Sequence, residues 1–237
     1  FCGNSLGLQP KRTRAYLNEE LDTWATRGVR GHFESEHPWM PYHEFVTETS
    51  AALVGALPQE VVVMNSLTVN LHLMMVSFFK PQGARRKIMI EDHAFPSDRY
   101  AVRSQLIHHG LDPVEDLILL TPREGAEVIE ERDILAKIEA HRDELALVLL
   151  PGVQYYTGQA FDLEAITERC HQHQITVGFD LAHAAGNLEL KLHEWGVDFA
   201  AWCSYKYLNS GPGSLAGCFV HERHVLNPAL NRFAGWW

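Results

Sequence analysis

The chain has 237 residues, 46% hydrophobic and 21% charged, which is the composition of an ordinary globular protein with ample material for a core. Thirty acidic against 20 basic residues give a formal charge of -10, which argues against a nucleic-acid or anionic-membrane partner. No apolar run is long enough to span a bilayer, and four scattered cysteines (Cys2, Cys170, Cys203, Cys218) without a CxxC pair fit a reducing, cytoplasmic setting.

In chain order, Pro10 to Thr26 reads as a helix, with proline in the first turn and Gly28 past the end. After the aromatic stretch Gly31 to Trp39, a second helix is predicted over Tyr42 to Ala56, with Phe45, Thr49, Leu53 and Ala56 on one face. Short apolar runs then alternate with helical patterns. Strands are predicted at Val61–Met64, Lys87–Ile90, Leu117–Leu120, Leu145–Leu150, Ile175–Phe179, Phe199–Cys203 and Cys218–Val220. Helices are predicted between them at Leu67–Phe79, Ser97–His109, Glu131–His141 and Leu163–His173. Strands that are apolar throughout and spaced by helices imply a mostly parallel sheet covered on both faces, a three-layer α/β/α fold with seven strands. The first residue is Phe1 rather than Met and the last are Gly235-Trp236-Trp237, which reads as part of a longer protein.

In such sheets ligands bind beyond the carboxyl ends of the strands. There the sequence places Asn65-Ser66-Leu67-Thr68 at a helix start, Glu91 to Asp98 with Phe95, Asp180-Leu181-Ala182-His183, and Ser204-Tyr205-Lys206. This set suits pyridoxal phosphate, which needs a lysine for covalent attachment, a carboxylate to keep its ring nitrogen protonated, and amide donors for its phosphate. Lys206 is the candidate lysine, since there are only six and the other five lie in helical or turn contexts or before strands. Asp180 is the candidate partner of the ring nitrogen, Ser66, Leu67 and Thr68 the phosphate cradle, and Phe95 the stacking ring. Each residue also has a plainer reading. A lysine after a strand is usually solvated, Asp180 and His183 could be a cap and a surface histidine, Ser66 and Thr68 could simply cap a helix, and Phe95 could be core.

Other motifs compete less well. Gly3-Asn4-Ser5-Leu6-Gly7 matches the G-x-S-x-G elbow, but only Phe1 and Cys2 precede it and helix signals start at Pro10. A metal hydrolase would draw on 14 histidines, the Glu91-Asp92-His93 cluster or Cys170 with His173. No HExxH is present, however, His193-Glu194 lacks a second histidine at the required spacing, and most histidines read as solvated or capping. Gly211-x-Gly213 lacks the third glycine and the acidic residue of a dinucleotide fingerprint.

Several segments taken together resemble kynureninase, end to end and in order. They are Phe1-Cys2-Gly3-Asn4-Ser5-Leu6-Gly7-Leu8, Arg30-Gly31-His32-Phe33, Phe95-Pro96-Ser97-Asp98, Tyr155-Tyr156-Thr157-Gly158-Gln159, Asp180-Leu181-Ala182-His183-Ala184, Ser204-Tyr205-Lys206-Tyr207-Leu208-Asn209 and Gly235-Trp236-Trp237. The resemblance implies a pyridoxal-phosphate enzyme of the aspartate-aminotransferase fold. It would hydrolyse L-kynurenine or its 3-hydroxy form to an anthranilate and L-alanine, in tryptophan catabolism and NAD biosynthesis. It further implies that Lys206 bonds the cofactor and moves protons with Tyr205 beside it as a second catalytic residue, and that Asp180 pairs with the ring nitrogen with His183 beside it. Leu67, Thr68 and Tyr205 would hold the phosphate, Phe95 would stack, and Asp98 would help position the ring. Ser5 and His32 would face the substrate. Trp236 would reach the partner's cofactor in a homodimer with shared active sites.

On this reading residues 1–56 form an N-terminal helical segment packing on the large domain, and 57–237 the cofactor-binding large domain, without the family's C-terminal small domain. That small domain supplies the arginine for the substrate carboxylate, so the chain alone is expected to turn over substrate poorly. At Pro151, where several relatives carry a hydroxyl residue near the cofactor, no such contact is carried over. The alternatives are another enzyme of the same fold, such as a cysteine desulfurase, or a catalytically inactive fragment.

Overall fold

Seven runs rich in Val, Ile, Leu and Phe pair into one sheet, because strands apolar on both faces are stable only between two covering layers. In the computed structural model, which describes residues 2–233 and Gly235, the strands are β1 (Val61–Met64), β2 (Lys87–Glu91), β3 (Leu117–Leu120), β4 (Leu145–Pro151), β5 (Thr176–Asp180), β6 (Phe199–Trp202) and β7 (Ala216–Val220). Their order across the sheet is β1-β7-β6-β5-β4-β2-β3. Strand β7 runs antiparallel to both neighbours, β1 and β6, and every other neighbouring pair is parallel. After β2 the chain goes outward to β3 and then returns to the other side of β2 as β4. The order therefore reverses between β2 and β4, where crevices open at the carboxyl ends of the strands.

Alternate residues of each strand feed two cores. On one face, α3 (Leu67–Phe78) and α4 (Pro96–His108) bury Leu71, Met75, Val102 and Leu106 against Ile88, Ile90, Leu147 and Leu149. On the other, α2 (Thr47–Val54), α5 (Glu131–Ala140) and α6 (Leu163–Gln172) bury Val54, Ile134, Ile138 and Ile166 against Met89, Val148, Leu150 and Phe179. The predicted three-layer α/β/α class with a mostly parallel sheet of seven strands is the one observed.

Several boundaries differ from the sequence reading. Helix α1 spans Thr13–Arg27 and does not include Pro10, whose carbonyl accepts the Thr13 N–H in a preceding turn. The helix predicted over Tyr42 to Ala56 splits into a 3-10 turn, Tyr42–Val46, and the two-turn α2. Its buried residues are Ala51 and Val54 rather than the Phe45 and Thr49 face. The end of α2 is what docks: the Val54 and Gly55 carbonyls accept the Leu192 and His193 N–H groups, which turns Ala51 and Val54 inward. Gly55 has φ 63° and lies against the Leu190 carbonyl, so no side chain fits there. Strand β5 starts at Thr176, β6 ends at Trp202 before Cys203, and β7 begins earlier, at Ala216.

Two buried carboxylates tie the back of the sheet together. Asp198 accepts from His171, Arg223, His224 and the Val177 N–H. Glu60 accepts from the Leu57 and Glu222 N–H groups and bonds His193, with His221 stacked on that ring.

Candidate active site

The ends of β2, β4 and β5 and the loop after β6 surround one cavity, enclosing about 680 Å³ together with its open mouth. Glu91, Pro151 and Asp180 come from the strand ends, and Tyr205 and Lys206 from the loop. Ser66, Leu67 and Thr68 come from the start of α3, and Phe95, Ser97 and Asp98 from the start of α4.

Both helix starts follow from local sequence. Ser66 sits at the N-cap of α3 in an extended conformation and accepts the Val69 N–H. Pro96 opens α4 with φ already set. The two N-termini meet side by side, with Thr68 Oγ1 2.9 Å from Ser97 Oγ. Unpaired N–H groups of two helix starts plus two hydroxyls form an anion-binding corner.

Lys206 is only 9% exposed, so the solvated-loop reading of this residue is set aside. Its Nζ donates to His183 Nε2 at 3.0 Å and lies 5.7 Å from the centre of the Phe95 ring. Burial and the nearby lysine charge hold His183 below its ordinary value, so the ring is neutral at pH 7 and can accept that hydrogen bond. The loop is braced from the N-terminal segment: Gly7 N–H donates to the Tyr205 carbonyl and Leu8 N–H to Asn209 Oδ1. Gly7 lies against the Lys206 carbonyl, leaving no room for a side chain.

Asp180 is the last residue of β5, buried, with Oδ1 accepting the Ala182 N–H at 2.7 Å. Asp98 is buried against it, and burial together with the Asp180 carboxyl pushes Asp98 well above the ordinary carboxylate range. Phe95 is not core: it is 45% exposed at the mouth and meets Tyr155 edge to face at 5.2 Å. The Tyr205 phenol is pushed up to about 12, chiefly by burial and then by the neighbouring Cys203.

The structure thus brings Leu67, Thr68, Phe95, Asp98, Asp180, His183, Tyr205 and Lys206 into one cavity. Ser5 and His32 do not line it. Ser5 is exposed in the opening turn, and His32 packs edge to face on Trp39. Trp236 lies outside the described residues. Glu91, Ser97 and Tyr155 line the cavity without having been singled out as site residues. For Glu91 the signal was a lone carboxylate ending an otherwise apolar strand.

The competing motifs fare differently. The Gly3-Asn4-Ser5-Leu6-Gly7 stretch is neither preceded by a described strand nor followed directly by a helix. Cys170 is buried, while His171 and His173 pair with Asp198 and Glu139 and not with a shared centre. Glu60, His193 and His221 do come together, and Glu60 there accepts two backbone N–H groups besides His193.

The chain matches the Aminotransferase class-V family over residues 7–217. It is 62% identical over its whole length to a kynureninase of Koribacter versatilis, 60% to one of Myxococcus xanthus and 53% to one of Nematostella vectensis. It covers 56%, 56% and 51% of those proteins, and so spans about half the length of the curated relatives it matches. Among solved structures, a cystine C–S lyase in complex with cysteine persulfide superposes with a TM-score of 0.75 at 19% identity, covering 99% of this chain and 60% of that one. An apo cysteine desulfurase from Thermococcus onnurineus superposes with a TM-score of 0.72 at 19% identity, covering 94% of this chain and 54% of that one.

Proposed function

The chain belongs to the aminotransferase class-V family, and from that premise we propose that it is the cofactor-binding part of a pyridoxal-phosphate hydrolase that cleaves L-kynurenine or its 3-hydroxy form to an anthranilate and L-alanine. The carrying observation is a buried lysine, Lys206, facing the same cavity as a buried carboxylate, Asp180, and a double helix N-terminus. Identity of 53–62% to kynureninases over every residue supports the substrate class. The donor set fits the cofactor: one cavity is lined by the anion donors of two helix starts, by buried carboxyls, by an aromatic ring and by a buried amine.

Thr68, Leu67, Ser97 and Tyr205 would hold the phosphate, Asp180 the ring nitrogen with Asp98 beside it, and Phe95 the ring face. Bound there, pyridoxal phosphate supplies an electron-accepting ring that makes a substrate's carbon–carbon bond breakable. Lys206 Nζ would hold the cofactor covalently and would carry protons to and from the substrate. Neutral His183 steers Nζ and takes no net charge while doing so. Burial and the Asp180 carboxyl raise Asp98 well above the ordinary carboxylate range, so the two together would keep one negative charge in the cavity.

The reading extends to a homodimer with shared active sites. In support, Ser5 and His32 do not reach this chain's own cavity, and α1 has no buried residue, leaving Leu17, Leu21 and Trp24 uncovered. The substrate-carboxylate contact is assigned to residues outside these 237. A reducing, cytoplasmic setting agrees with four free cysteines. A cysteine-desulfurase reading is disfavoured because Cys170, Cys203 and Cys218 are buried, and burial raises all three thiols, that of Cys218 to about 12.

The test is direct. Pyridoxal phosphate added to the chain is expected to give a visible absorbance band that borohydride fixes onto Lys206, and Lys206→Ala is expected to abolish it. No band, or a band retained by the variant, rejects the cofactor assignment. Kynurenine and cysteine, offered side by side to a version of full relative length, separate the two substrate classes.

A further inference from the structure

The ends of β2 and β4 flank the crevice where the sheet order reverses, and the loop after each carries one aromatic ring into the cavity wall. Phe95 follows β2 and Tyr155 follows β4, and the two rings meet edge to face at 5.2 Å. Neither ring is held by the core, since Phe95 is 45% and Tyr155 38% exposed. Little buried area is available to fix them, so their positions follow from the backbones that carry them.

One buried side chain joins those two backbones. Gln154 is 5% exposed. Its Nε2 donates to the His93 carbonyl at 2.7 Å, 61 positions away and two residues before Phe95. Its Oε1 accepts the Tyr156 N–H at 2.6 Å and the Thr157 N–H at 2.9 Å. These partners settle the orientation of the amide, because the oxygen faces two donors and the nitrogen faces an acceptor. The loop itself is a short hairpin. Val153 bridges Ala160, the Gln154 N–H donates to the Gln159 carbonyl, and the Gly158 N–H donates to the Gln154 carbonyl. On its outer side, Gln159 accepts from the Ile129 N–H and donates to the Ile129 carbonyl. The backbone and oxygen of Gln154 thus close the hairpin, whereas its nitrogen spans the crevice.

We propose that Gln154 is a positioning residue: by tying the loop after β4 to the backbone just ahead of Phe95, it brings Tyr155 against the Phe95 ring and so holds that ring on the cofactor. This rests on the cofactor reading above for what the ring packs on, and on hydrogen-bond geometry for the tie itself.

Two substitutions separate the nitrogen from the oxygen. Gln154→Glu keeps an acceptor for the Tyr156 and Thr157 N–H groups but sets a carboxylate oxygen against the His93 carbonyl. Gln154→Asn can accept the Tyr156 N–H as an Asx turn does, yet stops one methylene short of His93. Each should weaken pyridoxal phosphate binding about fivefold in absorbance titration. Each should also diminish, at saturation, the visible circular-dichroism band of the bound cofactor, which reports how asymmetrically its ring is held. Tyr155→Leu should do the same. Adding Gln154→Asn to Tyr155→Leu should then weaken binding by less than about twofold more, because both act through one pair of rings.

An unchanged Kd and band in the Gln154 variants, or effects that multiply in the double variant, overturn the proposal and leave Gln154 serving the hairpin alone. Should Gln154→Glu not fold, Gln154→Asn carries the same readouts. If pyridoxal phosphate does not bind the unsubstituted chain at all, the cofactor reading fails, and the tie is decided without it. Nuclear Overhauser contacts between the Phe95 and Tyr155 rings are expected in the cofactor-free unsubstituted chain and should be lost in Gln154→Asn. Contacts that persist in that variant, or that are absent from the unsubstituted chain, overturn the proposal.

Discussion

The histidines show how single residues depend on partners that are distant in sequence. Most of the 14 read as solvated or capping, yet His37, His141, His171, His173, His193 and His224 each meet a carboxylate, on Glu19, Glu144, Asp198, Glu139, Glu60 and Asp198. The pairs at Asp198 and Glu60 span 26 to 133 positions, beyond the reach of any local pattern. Burial would push Asp198 up, but hydrogen bonds from His171, His224, the Val177 N–H and Arg223 outweigh it and hold its carboxyl far below the ordinary range. Its contribution to stability is thus full above its unfolded value of 3.8 and drains away only as pH falls below that. Replacing Asp198 by Asn leaves Arg223 without its counter-charge and should cost about 3 kcal/mol, read as a fall in Tm of about 6–12 °C at pH 7. A change under 2 °C would contradict this account. Lys206 and Asp180 were legible because their positions after strands limit what they can be. Glu91 left only a weak signal, one carboxylate ending an apolar strand, because the cost of its burial exists only once β2 has neighbours.

At the scale of elements, the cavity is a junction of two helix starts and three strand ends. Each start is encoded locally, by Ser66 for α3 and by Pro96 for α4. Their adjacency is not encoded locally: 29 residues separate Thr68 from Ser97, and the sheet order brings them together. If this corner holds the phosphate, Thr68→Ala should weaken pyridoxal phosphate binding about fivefold, the loss of one hydrogen bond worth about 1 kcal/mol, with Tm little changed. Equal Kd values for the variant and the unsubstituted chain, from absorbance titration, would place the phosphate elsewhere. The split of the Tyr42–Ala56 pattern into a 3-10 turn and a short helix has a similar origin. Its apolar period allowed one long helix, and the docking of Gly55 on the Leu190 turn selected another face.

At the scale of the whole molecule, the chain leaves one of its own surfaces unfinished. Leu17, Leu21 and Trp24 recur at helical spacing on α1 and are 59%, 58% and 69% exposed. On the dimer reading a second copy covers them. Leu21→Glu combined with Trp24→Glu should then halve the mass seen by sedimentation at micromolar concentration, whereas an unsubstituted chain that already sediments as a monomer would refute the dimer. Because the 237 residues correspond to about half of their relatives, kynurenine cleavage by this chain alone is expected to be far slower than by a version of full relative length. Equal rates would show that the substrate-carboxylate contact lies within these residues.

The succession of strands and helices along the chain, the α/β class and the candidate cofactor residues were legible in the sequence alone. Apolar runs, helix starts and a lysine after a strand are local signals that survive without any fold. Only the tertiary structure decided which of those residues share a cavity, that Ser5 and His32 stay outside it, and that a third carboxyl, Glu91, stands with Asp98 and Asp180. These outcomes depend on strand order and on the low dielectric of a buried crevice, which arise when distant segments pack and have no signature in any single stretch of chain.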